Sequence, residues 1–117
     1  MNNETKILPL DEVNLLHAKL CRAVGDPKRL QILYALAAEP CSVGGLADLL
    51  ETPQPTISRH LATLRESGMV TTTREGTTVI YSLAMPEIVE VIEKMRAILR
   101  VVIARQASSL ADVYRAE

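Results

Sequence analysis

Six polar side chains crowd one short stretch of the chain: Gln54, Thr56, Ser58, Arg59, His60 and Thr63. They are short donors and acceptors plus one guanidinium, the types that bond to base edges and phosphate oxygens. Among them run Ile57, Leu61 and Leu64, an apolar stripe at helical spacing i, i+4 and i+7. A helix that buries this stripe turns the polar residues outward as one face. Such a face reads DNA in the major groove, or is simply solvated. Lys28, Arg29 and Arg74 add cations in flanking segments, suited to backbone phosphates.

The other reactive side chains are two thiols, Cys21 and Cys41. His17 precedes Cys21 by one helical turn, where it favours a thiolate or supplies a second metal ligand. The plainer reading is a small apolar side chain beside an incidental His, and it is preferred for His17. Cys41 follows Pro40 in an expected helix–helix connection, where a thiol is accessible to reagents. A disulfide needs Cα atoms about 4.4–6.8 Å apart, which spacing alone does not fix. His60 reads as a DNA contact or packing residue rather than a ligand. No nucleophile–base pair, phosphate loop or metal-ligand cluster is present, so neither an enzyme nor a metal or cofactor is expected.

The segment 42–81 must position these groups. Leu46, Leu49 and Leu50 repeat at helical spacing beside Ala47. Thr52 is a candidate cap for the next helix, and Pro53 and Pro55 restrict the turn before it. Gly68 suits a left-handed cap at its end. Residues 69–73 and 77–83 are rich in β-branched residues, with Arg74-Glu75-Gly76 as the expected hairpin tip. Helix, turn, helix and two-stranded hairpin make a winged helix-turn-helix.

Two flanking helices are expected. Residues 11–24 put Val13, Leu16, Leu20 and Val24 on one stripe. Gly25-Asp26-Pro27 breaks that helix and starts the next, with Asp26 as N-cap and Pro27 at the first position. Leu30, Ile32, Leu33 and Leu36 line the second helix, and Glu39-Pro40 ends it. Pro86 opens a last helix, taken as 86–105, whose Ile88, Val91, Ile92, Met95, Ile98, Leu99 and Val102 form a wide apolar stripe. The stripe is packed inside one subunit or shared across a homodimer with the first helix, and its width favours the dimer. The expected architecture is mainly α with a small wing, one domain over 1–117, about five helices and two strands.

Composition fits a compact single domain of 117 residues with 48% hydrophobic content and no Phe or Trp, hence an aliphatic core. The net charge of −1 argues mildly against DNA, since phosphate neutralisation calls for a basic surface. Residues 52–82 hold three Arg, at 59, 65 and 74, against Glu66 and Glu75. Affinity must then come from doubled contacts in a dimer and from helix N-termini. The start, MNNETKILPLDE, lacks a signal-peptide pattern, and Arg96, Arg100 and Arg105 interrupt the most apolar helix. A cytoplasmic protein without membrane partners is expected, its cysteines free.

With these pieces in order, the chain resembles the ArsR/SmtB family of small bacterial winged-helix repressors over roughly residues 11–105. The resemblance rests on AVGDPKRLQILYAL (23–36), VGGLADLL (43–50), PTISRHLATLRESGMV (55–70) and REGTTVIYSL (74–83). It implies a homodimer on a palindromic double-stranded operator, released by an inducer. The family's usual metal ligands do not carry over. Where one site has Cys-Val-Cys, this chain has Ser42, Val43 and Gly44, with Cys41 one position earlier. Where another has Asp and His pairs on the last helix, this one has no His or Cys and only Asp112. Related repressors sense thiol oxidants or reactive sulfur through paired Cys, which the resemblance permits here. The reading is therefore a repressor sensing an oxidant, reactive sulfur or thiophilic metalloid at Cys21 and Cys41. The alternatives are a winged-helix protein-interaction module, or a repressor with an organic ligand or no inducer.

Overall fold

The computed structural model describes residues 7–116. The first half of the segment read as lacking a signal peptide, residues 1–6, lies outside them. The chain divides into two compact units, Met1–Met85 and Pro86–Glu117.

In the first unit, helix α1 has three parts: an α-helical stretch Leu10–Leu16, a π-helical stretch His17–Cys21 and a last α-helical turn Arg22–Val24. The Arg22 N–H reaches back to the His17 carbonyl, the wide-turn bond of a π-bulge. No sequence signal announces it. It shifts Cys21 from the expected position one α-turn along from His17.

Asp26 then starts α2, Pro27–Ala38. Its backbone is extended and its carboxylate accepts from Lys28 N–H at 2.8 Å and Arg29 N–H at 3.2 Å, filling two of the orphan donors of a helix start. Pro27 occupies the first turn, where its missing N–H costs nothing. Pro40 disfavours helical backbone at Glu39, which is extended at φ −167° and ends the helix.

Cys41–Ser42 form a short strand, β1, a correction to the loop expected there and to the count of two strands. Helix α3, Val43–Leu49, follows, with the Ser42 hydroxyl accepting from Gly45 N–H at 3.0 Å as its cap. Thr52 does not cap the next helix. Its hydroxyl donates to the Leu50 carbonyl at 2.8 Å and braces the turn instead. Pro53 is the N-cap residue of α4, Gln54–Glu66. Gly68, at φ +80°, ends α4, with Gly68 N–H on Arg65 O and Met69 N–H on Leu64 O. Those crossed bonds are a Schellman cap, read correctly from the glycine.

The wing is β2, Val70–Glu75, and β3, Thr78–Leu83. Arg74 thus lies in β2 opposite Val79, and the turn itself is Gly76-Thr77, which starts two residues and ends one residue later than expected. The sheet order is β1-β3-β2, all antiparallel, with Cys41 opposite Tyr81 and Val70 opposite Leu83. The core of this unit is aliphatic, as composition requires. Ile32, Leu33, Leu46, Ile57, Leu61, Leu64 and Val70 are fully buried. Each contributes on the order of 1.5–3 kcal/mol of transfer free energy. This core fixes α4 against α2, α3 and β2.

The second unit is one helix, α5, Glu87–Ala116. It runs well past the expected end at 105, because no Gly or Pro interrupts residues 106–116. Acidic Glu87 and Glu90 open it and Arg115 closes it, matching the helix macrodipole. Val91, Met95, Ile98, Leu99 and Val102 are all exposed.

Candidate nucleic-acid interface

Ile57, Leu61 and Leu64 bury one side of α4 completely, and this fixes what the other side presents. Gln54, Ser58 and Arg59 are exposed, while Thr56, His60 and Thr63 are half-buried. Arg59 donates to the Thr56 hydroxyl at 3.4 Å, a weak contact that leaves its guanidinium free to engage a ligand. Thr63 donates to the Arg59 carbonyl at 3.3 Å within the helix.

Exposed Arg74 of the wing and exposed Arg65 of α4 both line a shallow hollow of about 290 Å³ with Thr72, Thr73 and Val79. Arg65 entered the sequence reading only as a charge. Its signal was its position near the end of α4, where the chain turns into β2. Two guanidinium groups beside one hollow suit a phosphate backbone.

The structure brings Arg29 and His60 together and turns both inward. The Arg29 guanidinium donates to Ala23 O at 2.7 Å and to Arg22 O at 2.8 Å, and its third nitrogen lies 3.1 Å from His60 Nδ1. His60 Nε2 lies 3.8 Å from Asp26 Oδ1. Burial works to raise the Asp26 carboxyl. The backbone N–H groups of Arg29 and Lys28, with the electrostatic pull of nearby His60 and Arg29, outweigh it and hold the pKa below the ordinary value. Lys28 is half-buried at the start of α2.

The thiols are unpaired. Cys21 is exposed on the π-helical stretch and Cys41 is half-buried in β1. The Cys41 sulfur lies so close to Gly45 that a Cβ there would meet it at 2.6 Å. A side chain there would require the Cys41 sulfur to turn away. Among the described residues, no three of His, Cys, Asp and Glu gather as a metal site would require. Nor is any described helix long and apolar enough to cross a membrane.

A buried aliphatic core, a polar recognition face and a hairpin wing define the winged helix-turn-helix. The family described as bacterial regulatory protein, arsR family, matches residues 26–72. The transcriptional activator HlyU of Vibrio cholerae is 43% identical over 74 residues, which cover 63% of this chain and 68% of HlyU. The chain belongs to the ArsR family. A structure of reduced HlyU aligns with a TM-score of 0.66 and 36% identity, over 76% of this chain and 94% of that one. KmtR, an HTH-type transcriptional regulator of Mycobacterium tuberculosis, is 42% identical over 76 residues, 65% of this chain. That match spans only 58% of the length of KmtR. The homodimeric winged helix-turn-helix DNA-binding domain Mb0332 of Mycobacterium bovis aligns with a TM-score of 0.61 at 25% identity, over 91% of this chain and 90% of that one. ArsR-family proteins are transcription regulators and not enzymes, and this chain is a regulator of that kind.

Proposed function

We propose that this ArsR-family chain is a cytoplasmic, homodimeric repressor that binds a palindromic operator duplex and releases it on thiol chemistry at Cys21 and Cys41. The observation that carries DNA reading is the exposed face of Gln54, Ser58 and Arg59, opposite a completely buried stripe. Thr56 and Thr63 extend that face, and Lys28, Arg65 and Arg74 supply phosphate contacts. The dimer is supported by the apolar side chains that α1 and α5 expose. Two copies would set two recognition helices about 34 Å apart, one turn of duplex. They would also double the cationic contacts of a chain whose net charge is −1.

Thiol sensing is supported by two free cysteines, one exposed and one half-buried, and by the missing metal ligands at Ser42 and Gly44. HlyU, a relative whose reduced form has a structure of its own, is described as an activator, so the sign of regulation is part of the proposal. The net charge favours a second reading, a winged helix that binds protein instead of DNA.

One experiment separates these readings. A duplex is selected from a random library with wild-type protein, and its affinity is measured for a folded Ser58→Ala/Arg59→Ala variant. Loss of base contacts should weaken binding by about 1–3 kcal/mol for each good contact. Unchanged affinity sinks the assignment of this face, and failure of the wild type to select any duplex favours protein binding. Cys21→Ser/Cys41→Ser protein should bind the same duplex and resist release by polysulfide or peroxide. Release at the wild-type level defeats thiol sensing.

A further inference from the structure

We propose that Arg29 and His60 are positioning residues that hold the recognition helix against the end of α1, and are not contacts to DNA. The inference rests on the DNA reading above but assigns these two side chains a different task.

Arg29 lies half-buried at the start of α2, and three of its nitrogens face three separate groups. Nε and Nη2 donate to the carbonyls of Ala23 and Arg22, in the last turn of α1. Helix ends leave carbonyls without intrahelical partners, so the bond to Ala23 O satisfies an acceptor there, and the bond to Arg22 O adds to a long one, 3.4 Å, from Gly25 N–H. Nη1 faces His60 Nδ1, from α4. A guanidinium has no acceptor, so Nδ1 must accept and the ring must carry its proton on Nε2. Nε2 in turn faces the Asp26 carboxylate, at electrostatic rather than hydrogen-bond distance. Asp26 is itself fixed by the N–H groups of Lys28 and Arg29. The His60 side chain is only 18% exposed, which leaves little of it for a base.

Three helices therefore meet at one guanidinium. Its planar fork holds two carbonyls and an imidazole at fixed angles, which the single ammonium of lysine does not reproduce. Base reading needs the recognition helix at a set angle in the groove. Freeing His60 would let α4 rock while its core stripe stays buried. Contacts to phosphate tolerate such rocking better than bidentate contacts to bases. A positioning role thus predicts lost selectivity, whereas a phosphate contact predicts uniformly weaker binding.

The test compares Arg29→Ala, Arg29→Lys, His60→Leu and His60→Asn by fluorescence anisotropy. The probes are a duplex selected by the wild type and a scrambled duplex of equal length, across a salt series. Asn retains an acceptor close to where Nδ1 stands, whereas Leu has none. Arg29→Ala, Arg29→Lys and His60→Leu should each lose about tenfold or more on the selected duplex, with scrambled-duplex affinity and salt slope unchanged. His60→Asn should stay within about threefold of wild type. If Arg29→Ala fails to fold, the His60 pair carries the comparison alone. Equal weakening on both duplexes with a shallower salt slope would make Arg29 a phosphate contact and overturn the proposal. So would wild-type selectivity in folded Arg29→Ala or His60→Leu protein. A wild type that selects no duplex fails the DNA reading itself. In that case the nitrogen-15 shifts of His60 still test the tie, and a proton found on Nδ1 breaks it.

Discussion

Asp26 serves three groups with one carboxylate. It caps α2 through two backbone N–H groups and faces His60 across the helix-turn-helix. Its pKa is depressed on folding, so the stability it contributes is present above the ordinary carboxylate value of 3.8. That contribution is lost as the pH falls through the lower, folded value. Asp26→Ala should cost about 0.5–2 kcal/mol at neutral pH, as other cap removals do. The difference between wild type and variant in urea unfolding should shrink below about pH 4. A difference that stays constant from pH 7 to pH 3 would mean that the carboxylate charge is not what caps the helix. At this scale the cap was legible, because Asp-Pro before an apolar run is a local signal. The roles of Arg29 and His60 were not. They are 31 positions apart, and an Arg at one helix start and a His in the recognition helix read as a phosphate contact and as a DNA contact or packing residue until the fold joins them.

Helices α3 and α4 end in the same way, with two crossed backbone bonds around one left-handed residue. At the end of α4 that residue is Gly68, and at the end of α3 it is Glu51, at φ 49°. A Cβ costs about 1–2 kcal/mol in this conformation. Gly68→Ala should therefore lower stability by about that amount, and a Cβ built at Gly68 meets no atom within 4 Å, so the cost is conformational alone. Glu51→Gly should hold or raise stability, since it removes the strain that Gly68→Ala introduces. Thermal unfolding of both variants checks the pair, and a stable Gly68→Ala protein would contradict the cap. The glycine made the end of α4 legible, while the equal cap at Glu51 carries no such marker. Strand β1 was hidden for another reason. Cys41-Ser42 has no strand pattern of its own, and pairs only because the fold brings Tyr81 and Ile80 alongside. The extension of α5 beyond 105 was missed because the apolar stripe fades there, while helix propensity in Gln106, Ala107, Leu110 and Ala111 does not.

At the scale of the whole molecule, α1 and α5 each leave large apolar side chains in water. Val91, Met95, Ile98, Leu99 and Val102 of α5 are exposed, as are Leu15 and Leu16 of α1. Large apolar side chains repeated along the exposed side of a helix mark an interaction site. A second copy of the chain is the partner proposed, and it predicts how charge should act on the helix. Leu99 is 55% exposed within one subunit, so Leu99→Glu should leave each subunit folded. In a dimer seam the same carboxylate would be buried without a partner, at a cost of several kcal/mol. Sedimentation should show wild type as a dimer at micromolar concentration and Leu99→Glu as a folded monomer. Duplex affinity should fall with it, because one subunit offers only half of the phosphate contacts and a single recognition helix. Unaltered dimerisation and duplex binding in Leu99→Glu would move the seam away from this face. A wild-type monomer would remove the dimer, and with it the means by which a chain of net charge −1 holds a polyanion.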